Sequence, residues 1–232
     1  MPGATGRILL VCKLKGGSGA TTCRELCAAA LRDGQRVALI DLDGQAGLSR
    51  WWNRRTAGEG ERPPAPDLLQ LTAAQIPGAA AGLRGRYDLT VIDSPPSVHE
   101  TIRSVAGAAD LALVPARPTV DDLDAVGPVV RLLHGTVDHG FVLTQVPPAR
   151  GSRDGAEALE RLATRAPVFG RTTFRSAYSR PPGQGMTGFE EGGAAAQEIG
   201  ELYARLMARL GMSSHDDGTT ASQEHVITAG GG

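Results

Sequence analysis

The sequence predicts an α/β fold in which a mostly parallel, doubly wound sheet carries helices on both faces. The first observation behind this prediction is that short, continuous apolar runs, typical of buried parallel strands, alternate with helical stretches along the chain. The second is that glycine-rich or acidic segments directly follow three of these runs. Ligands of such sheets bind at the carboxyl ends of the strands, so these segments are candidates for one common site.

The predicted elements follow one another in a regular order. The run RILLVCK at 7–13 predicts the first buried strand, and a glycine-rich loop at 14–20 leads into a helix from about Thr21 to Arg32. Strands are also predicted at 36–43, 67–71, 87–96, 109–116 and 140–146. Helices are predicted at 46–55, 120–134, 153–165 and 192–210, with a broken helix at 72–85.

Length and composition indicate one domain. The chain has 232 residues, enough for a single core at 1–210, and the small and polar residues of 211–232 predict a disordered tail. A formal net charge of −1 gives no global attraction to nucleic acid, so any such contact needs a local patch. No apolar run is long enough to cross a membrane, and Cys12, Cys23 and Cys27 fit buried thiols of a reducing cytosol.

The stretch KGGSGATT at 15–22 has the composition of a phosphate-binding loop. Gly16, Gly17 and Gly19 allow a tight turn whose backbone N–H groups point into one concavity, and the following helix adds its N-terminal donors. The hydroxyl of Thr21 stands where a Mg²⁺ ligand is needed, because a hard cation prefers oxygen. The loop therefore predicts a site for a β-phosphate and its Mg²⁺.

Acidic residues end two predicted strands at the same edge as this loop. Asp41 and Asp43 follow the second strand, and Asp93 ends the strand at 87–96. Carboxylates close to a phosphate need a cation between them or a water molecule to orient, so we expect them to serve the Mg²⁺ and the attacking water. A helix N-cap role for Asp93 within DSPPS is the alternative.

Only two of the 24 basic residues are lysines, Lys13 and Lys15, and all the others are arginines. A GC-rich genome explains such a bias, so a surviving lysine indicates that its compact ammonium is required. We expect this of Lys15, at the front of the loop, because the planar fork of arginine is not equivalent in a tight phosphate loop. Lys13 is expected to be a chance survivor.

Five motifs, in the right order, resemble those of the ParA/MinD family of ATPases. KGGSGATT resembles the deviant Walker A box, K-G-G-x-G-K-[ST]-[ST], and DLDGQ resembles the family's D-x-D-P-Q. YDLTVIDSPP is similar to the Walker B strand, and ADLALVPARPTVDDLDAV and FRSAYSRPPGQGMTGFEEGGAAAQEIGELY are similar to later segments of short, ParF-like ParA proteins. The resemblance covers about 7–210 and implies a P-loop NTPase (SIMIBI-like) architecture.

The resemblance also implies roles for individual residues. Lys15 is the signature lysine, which reaches the partner's nucleotide in an ATP-sandwich dimer, and Asp43 orients the attacking water. The implied cofactor-binding residues are Lys15, Gly16, Gly17, Ser18, Gly19, Ala20, Thr21, Thr22 and Gln145. The implied metal site consists of Thr21, Asp41 and Asp93.

Ala20 departs from the family's pattern. It replaces the second Walker lysine, which contacts the β- and γ-phosphates, so we expect weak or impaired ATP hydrolysis. Relatives of the TadZ and BcsQ kinds can also lack this lysine, and an engineered replacement is the other explanation. Many relatives have an asparagine near the positions of Thr144 and Gln145 that recognises adenine, and this chain lacks it. The expectation that the nucleotide is ATP therefore rests on the resemblance.

The leading functional hypothesis is an ATPase that dimerises on ATP, binds DNA non-specifically and positions a plasmid, a chromosome or another cargo. Its expected DNA contacts are Arg171, Arg175 and Arg180, within an arginine-rich stretch at 146–182. A ParB-like protein or a cargo adaptor is the expected partner, and the ATP-bound dimer is expected in the cytoplasm at the nucleoid. The alternative is a nucleotide-dependent scaffold with little or no hydrolysis that recruits a partner protein.

Two related activities fit the sequence less well. An iron-protein reductase needs bridging cysteines beyond the third strand, and no cysteine follows Cys27. Membrane attachment of the MinD kind needs a basic terminal helix with an apolar face, which 211–232 does not offer. We therefore expect no membrane partner.

Overall fold

The computed structural model describes residues 6–13, 18–57, 64–96, 99–148, 153–179 and 185–212, so the predicted tail lies almost entirely outside the described residues. Its strands are β1 (Arg7–Val11), β2 (Val37–Asp41), β3 (Asp67–Leu68), β4 (Leu89–Asp93), β5 (Leu111–Ala116), β6 (His139–Val146) and β7 (Val168–Thr173). Its helices are α1 (Gly19–Arg32), α2 (Gly47–Thr56), α3 (Ile76–Arg86), α4 (His99–Ala106), α5 (Val120–Leu133), α6 (Arg153–Ala163), α7 (Ser176–Ser179), α8 (Gly188–Glu191) and α9 (Gly193–Arg209).

The strands form one parallel sheet in the order β3-β2-β4-β1-β5-β6-β7. β1 lies at its centre, where Val11 pairs in register with Asp93 of β4 and with Leu113 of β5. β4 pairs on its other side with β2, which brings Asp41 beside Asp93. The carboxyl ends of β1, β2 and β4 therefore meet at one point of the same edge.

Alternating side chains of the central strands divide the core into two layers. Ile8 and Leu10 of β1 point to the face that α3, α4, α5 and α6 cover, whereas Leu9 and Val11 point to the face that α1, α2, α8 and α9 cover. All four side chains are completely buried. Helices on both faces confirm the predicted doubly wound α/β fold, and burial on both sides explains why these strands are continuous apolar runs.

The structure differs from the predicted elements in two respects. The prediction lacks β7, α4, α7 and α8. β7 is an edge strand that buries only Phe169 and Thr172, so its sequence contains no continuous apolar run. The break predicted within the helix at 72–85 is wrong. Pro77 lies in the first turn of α3, where backbone N–H groups have no partner within the helix, so the N–H that proline lacks costs no hydrogen bond.

Two expectations from composition concern the described part of the chain. Cys12, Cys23 and Cys27 are free and buried, and burial raises the pKa of Cys12 and of Cys27 to about 12. These thiols are therefore protonated at neutral pH and pack as small apolar side chains, as expected. None of the described helices is both long and apolar enough to span a membrane.

A buried polar network fastens the C-terminal segment to α1 and α2. The side chain of Arg55 is fully buried, forms an ion pair with Glu190 at 2.5 Å and donates to the carbonyl of Gly185 at 2.9 Å. Trp51 donates to the same carbonyl at 2.7 Å. Glu25 of α1 is also buried, and its carboxylate accepts two backbone N–H groups of the first turn of α8. These polar groups tolerate burial because they are paired.

We expect loss of Arg55 to destabilise the fold far more than loss of a surface arginine. Arg55→Met leaves the largely buried carboxylate of Glu190 without its ionic partner, with only the N–H and the hydroxyl of Thr187 still donating to it, which costs about 3–5 kcal/mol of the free energy of unfolding. The matched control, Arg36→Met, removes an exposed pair with Asp88 and should change stability little. Urea denaturation followed by circular dichroism measures both, and equal losses would contradict a structural role for the buried pair.

Candidate functional site

A lysine and two aspartates form a compact ionic cluster where the carboxyl ends of β1, β2 and β4 meet. The ammonium of Lys13 lies 2.7 Å from a carboxylate oxygen of Asp43 and 2.7 Å from one of Asp93. The side chains of Lys13 and Asp93 are 3% and 0% exposed, so water is excluded from most of this cluster. The backbone N–H of Lys13 donates to Ser94 Oγ at 3.1 Å and fixes the start of the loop.

The expectation that Lys13 is a chance survivor is wrong. A buried ammonium is costly unless it is paired, and this one has two carboxylate partners. The prediction included Lys13 in a strand at 7–13, whereas β1 ends at Val11 and leaves Lys13 at the start of the loop. The signal that identifies it is a lysine directly after a buried strand, in a chain that otherwise uses arginine.

Burial and neighbouring charges set the protonation of the cluster. Burial raises the pKa of Asp93 to about 7; Lys13 offsets part of this effect, and the other carboxylates reinforce it. Burial lowers the pKa of Lys13, but Asp93 and Asp43 outweigh this effect and hold it above its usual value. Burial raises the pKa of Asp43, but hydrogen bonds from Lys13 and from the N–H of Gln45 lower it overall. At neutral pH Lys13 and Asp43 are therefore both charged.

Asp93 is the strongest indication that the site receives a cation. Its side chain is completely buried; the Lys13 ammonium pairs with Oδ2 at 2.7 Å, and Oδ1 has no hydrogen-bond partner among the described residues. Asp41 and Asp43 lie nearby, so three carboxyl groups face one ammonium, and these neighbours add to the effect of burial in raising the pKa of Asp93. The described residues contain no group of three or more His, Cys, Asp or Glu that could hold a metal. A Mg²⁺ ion therefore fits here only with a bound anion and water among its ligands.

Asp41 positions the loop between β2 and α2. One of its oxygens accepts the N–H of Asp43 at 3.1 Å, and the other accepts the N–H and the hydroxyl of Ser49 at 2.8 and 2.9 Å. These bonds hold Asp43 in place, and the metal contact of Asp41 stays a prediction. The alternative N-cap role of Asp93 does not apply, because Asp93 ends β4 and α4 begins only at His99.

The N-terminus of α1 lies at the same edge. The helix begins at Gly19, and the side chain of its N-cap, Ser18, makes no capping hydrogen bond. First-turn N–H groups without a capping side chain are available to an anion, and the helix dipole adds to the attraction. The hydroxyl of Thr22 donates to the carbonyl of Ser18 at 2.9 Å, whereas Thr21 is partly exposed and lines a neighbouring cavity. Ala20 is partly exposed and brings no charge.

Close packing over the ionic cluster requires glycine at position 19. A Cβ atom there would lie 2.4 Å from Cε and 2.5 Å from Cγ of Lys13, and 2.8 Å from Oδ1 of Asp93. The first turn of α1 therefore rests directly on the Lys13 stem and on the Asp93 carboxylate. The uncapped N-terminus of α1 and the acidic strand ends therefore belong to one site.

A cavity of about 260 Å³ opens beside the N-terminus of α1. Its wall contains Thr144 and Gln145 from the end of β6 and Phe174 from the segment after β7. Gln145 is exposed and has a φ of 56°, at a point where the pairing of β6 with β7 is irregular. Phe174 is 59% exposed, so an aromatic face and the side chain of Gln145 are available to a planar ring, whereas Thr144 is buried and its hydroxyl donates to the carbonyl of Ala116.

The structure brings most of the predicted site residues together. The shared edge holds Ser18, Gly19, Ala20, Thr21, Thr22, Asp41, Asp43 and Asp93, and the cavity beside it includes Gln145. Lys15, Gly16, Gly17 and Arg180 lie outside the described residues. Arg171 is exposed on β7, whereas Arg175 pairs with Glu198 at 2.8 Å and lines the cavity.

Comparison with known proteins finds relatives that match along most of the chain. The family model of the CobQ/CobB/MinD/ParA nucleotide binding domain matches residues 9–188. The chain is 32% identical over 211 residues to the maintenance of carboxysome distribution protein A of Gloeobacter kilaueensis. That alignment covers 88% of the chain and 94% of the relative.

Solved structures share the fold at low sequence identity. An ATP complex of a Cyanothece McdA variant has a TM-score of 0.71 and 17% identity, covering 91% of this chain and 98% of that one. The septum site-determining protein MinD of Pyrococcus horikoshii OT3, solved with Mg-ADP, has a TM-score of 0.68 and 18% identity, covering 87% and 96%. The matched family model and the relative that is 32% identical show that the chain belongs to the CobQ/CobB/MinD/ParA family of nucleotide-binding proteins.

Proposed function

We propose that the chain is a ParA-like positioning ATPase that binds ATP and Mg²⁺ at the shared strand edge. The observation that carries this proposal is the convergence of three features. These are an uncapped helix N-terminus, an ionic cluster in which one oxygen of a buried carboxylate has no hydrogen-bond partner among the described residues, and a cavity with polar and aromatic walls. The ATP and the Mg-ADP in the two solved relatives support the same ligands here.

Each part of the site suits one part of the nucleotide. The first-turn N–H groups of α1 bind phosphate. Thr21 and Asp93 support Mg²⁺, which neutralises phosphate charge when it is bound. The cavity holds the base against Thr144, Gln145 and Phe174. The proposal therefore accounts for the helix end, the acids and the cavity with a single ligand.

Asp43 is the residue that we propose to orient the attacking water. Lys13 donates to one of its oxygens at 2.7 Å and the N–H of Gln45 to the other at 3.0 Å, so the carboxylate is held in one orientation. Its lowered pKa keeps it ionised at neutral pH, and an ionised carboxylate accepts a hydrogen bond from water. Hydrolysis then depends on the position of the water rather than on a change of protonation.

The proposal extends to a dimer and a cargo. ATP brings two copies together, and Lys15, at the front of the loop that Gly16 and Gly17 shape, reaches the nucleotide of the other copy. The name of the carboxysome-distribution relative supports a cargo-positioning role, with a partner protein that joins the dimer to the cargo. The dimer positions its cargo on DNA, which it binds without sequence preference. Of the expected DNA contacts, the proposal keeps Arg171 and Arg180 and gives up Arg175, because Glu198 neutralises its charge.

Ala20 favours a second candidate function. A loop without the lysine at this position lacks a charge-assisted hydrogen bond to the phosphates, and this deficit affects hydrolysis more than binding. The chain would then be a nucleotide-dependent scaffold that recruits a partner and turns over little ATP. A single-turnover assay with excess protein separates the two candidates, because only the ATPase releases phosphate.

We expect ATP to bind more tightly with Mg²⁺ than with EDTA, and Thr21→Ala to reduce this difference by at least about tenfold, because the variant lacks a metal ligand. Isothermal titration calorimetry measures both affinities. Thr136→Ala, which removes an exposed hydroxyl from the turn after α5, is the matched control. If Thr21→Ala retained the full effect of Mg²⁺, the assignment of Thr21 as a ligand would be wrong.

We expect Asp43→Asn to keep ATP binding within about threefold and to slow single-turnover hydrolysis at least about a hundredfold, because an amide orients water poorly. Asp124→Asn, at an exposed residue of α5, controls for the removal of one surface charge. Phosphate release is followed by a coupled fluorescent assay. Hydrolysis at the wild-type rate in Asp43→Asn would remove Asp43 from the reaction.

We expect ATP-dependent binding to arbitrary duplex DNA that weakens with salt. Arg171→Ala should reduce the slope of log affinity against log salt by about 1 for each DNA phosphate that the variant no longer neutralises, equally on unrelated sequences. Arg86→Ala, an exposed arginine of α3 near the opposite edge of the sheet, is the control. Fluorescence anisotropy measures the slopes, and identical slopes for the two variants would exclude Arg171 from the DNA surface.

A further inference from the structure

We propose that Lys13 supplies the positive charge that position 20 lacks, so that the phosphate-binding lysine of this site comes from the end of β1. The inference rests on the proposed binding of ATP and concerns the residue that makes this binding possible without a lysine in the loop. It is based on the placement of Lys13 under α1, on the charge of the site and on the choice of lysine over arginine.

Lys13 lies where phosphate is proposed to bind, under the N-terminus of α1. Its side chain runs beneath the first turn of α1, in contact range of Gly19, and is 3% exposed. Its ammonium lies between Asp43 and Asp93, beneath the N-terminus of α1. The ammonium therefore lies at the edge to which the phosphates are assigned, beneath Gly19, the residue that precedes the uncharged Ala20.

The three aspartates of the site require a positive charge close to the phosphates. Asp41, Asp43 and Asp93 would repel a polyanion if no cation stood among them, since the attraction and repulsion of charges are strong where water is excluded. Lys13 offsets part of this charge before Mg²⁺ arrives. A lysine at position 20 would do so from the first turn of α1, and Lys13 does so from beneath that turn.

Position 13 holds a lysine and not an arginine. Lys13 is one of only two lysines among 24 basic residues, so lysine stands at this position in a chain whose other basic residues are almost all arginines. The narrow space under Gly19 explains this, because the Lys13 stem already lies where even a Cβ on residue 19 would collide with it. A planar guanidinium is too wide for this passage, whereas an ammonium is compact.

The test is a double-mutant cycle on ATP affinity, with wild type, Lys13→Met, Ala20→Lys and the double variant measured by calorimetry in the presence of Mg²⁺. We expect Lys13→Met to weaken ATP binding about 10- to 100-fold, the range for one charge-assisted hydrogen bond. Ala20→Lys should restore at least about tenfold in the Lys13→Met background and gain far less in wild type. Lys13→Arg should not retain the ATP affinity of the wild type.

Three results would overturn the proposal. One is unchanged or tighter ATP binding in Lys13→Met, which would make Lys13 a structural pair or a competitor of Mg²⁺. Another is an equal gain from Ala20→Lys in both backgrounds. The third is the absence of ATP binding to wild type, which would remove the proposed function as well, whereas the first two leave that function standing.

Lys13→Met leaves buried carboxylates without their partner and can unfold the chain. In that case the cycle is run in an Asp93→Asn background, where the fully buried one of the two uncompensated charges is removed and Asp93→Asn alone is the reference. Thermal unfolding of each variant shows that a folded protein is being titrated. The same difference between the two gains from Ala20→Lys is expected, and its absence contradicts the proposal.

Discussion

The buried contact of Lys13 with Asp43 and Asp93 is the interaction on which the rest of the site depends. Its three residues come from the ends of three different strands, so it forms only when the parallel sheet has its native register. The ammonium allows Asp93 to remain buried, holds Asp43 in one orientation and supports the first turn of α1 above Gly19. Folding of the sheet and assembly of the site are therefore one event.

Much of the fold and part of the site could be predicted because they follow from local patterns. β1, β4 and β5 are buried on both faces, so their apolar runs are continuous and visible in the sequence. Once the strands are parallel, their carboxyl ends share an edge, and the convergence of Asp41, Asp43 and Asp93 follows without any knowledge of packing. The glycines of the loop carry their own signal.

The remaining features depend on partners that are distant in sequence. β7 is half-exposed and has no apolar run, so only its pairing with β6 shows that it is a strand. Arg175 looks like a free surface cation until Glu198 of α9 is found beside it. Lys13 is the clearest case, since the burial of a charge is decided by carboxylates from two other strands and no local pattern encodes it.

The central claim is that the helix end, the ionic cluster and the cavity bind one Mg-nucleotide. A crystal structure with Mg²⁺ and a slowly hydrolysed ATP analogue tests it most directly. The account predicts the phosphates at the N-terminus of α1, Mg²⁺ on the side of Thr21 and Asp93, and the base in the cavity lined by Gln145 and Phe174. Density for the analogue elsewhere on the protein, with the cavity empty, would contradict it.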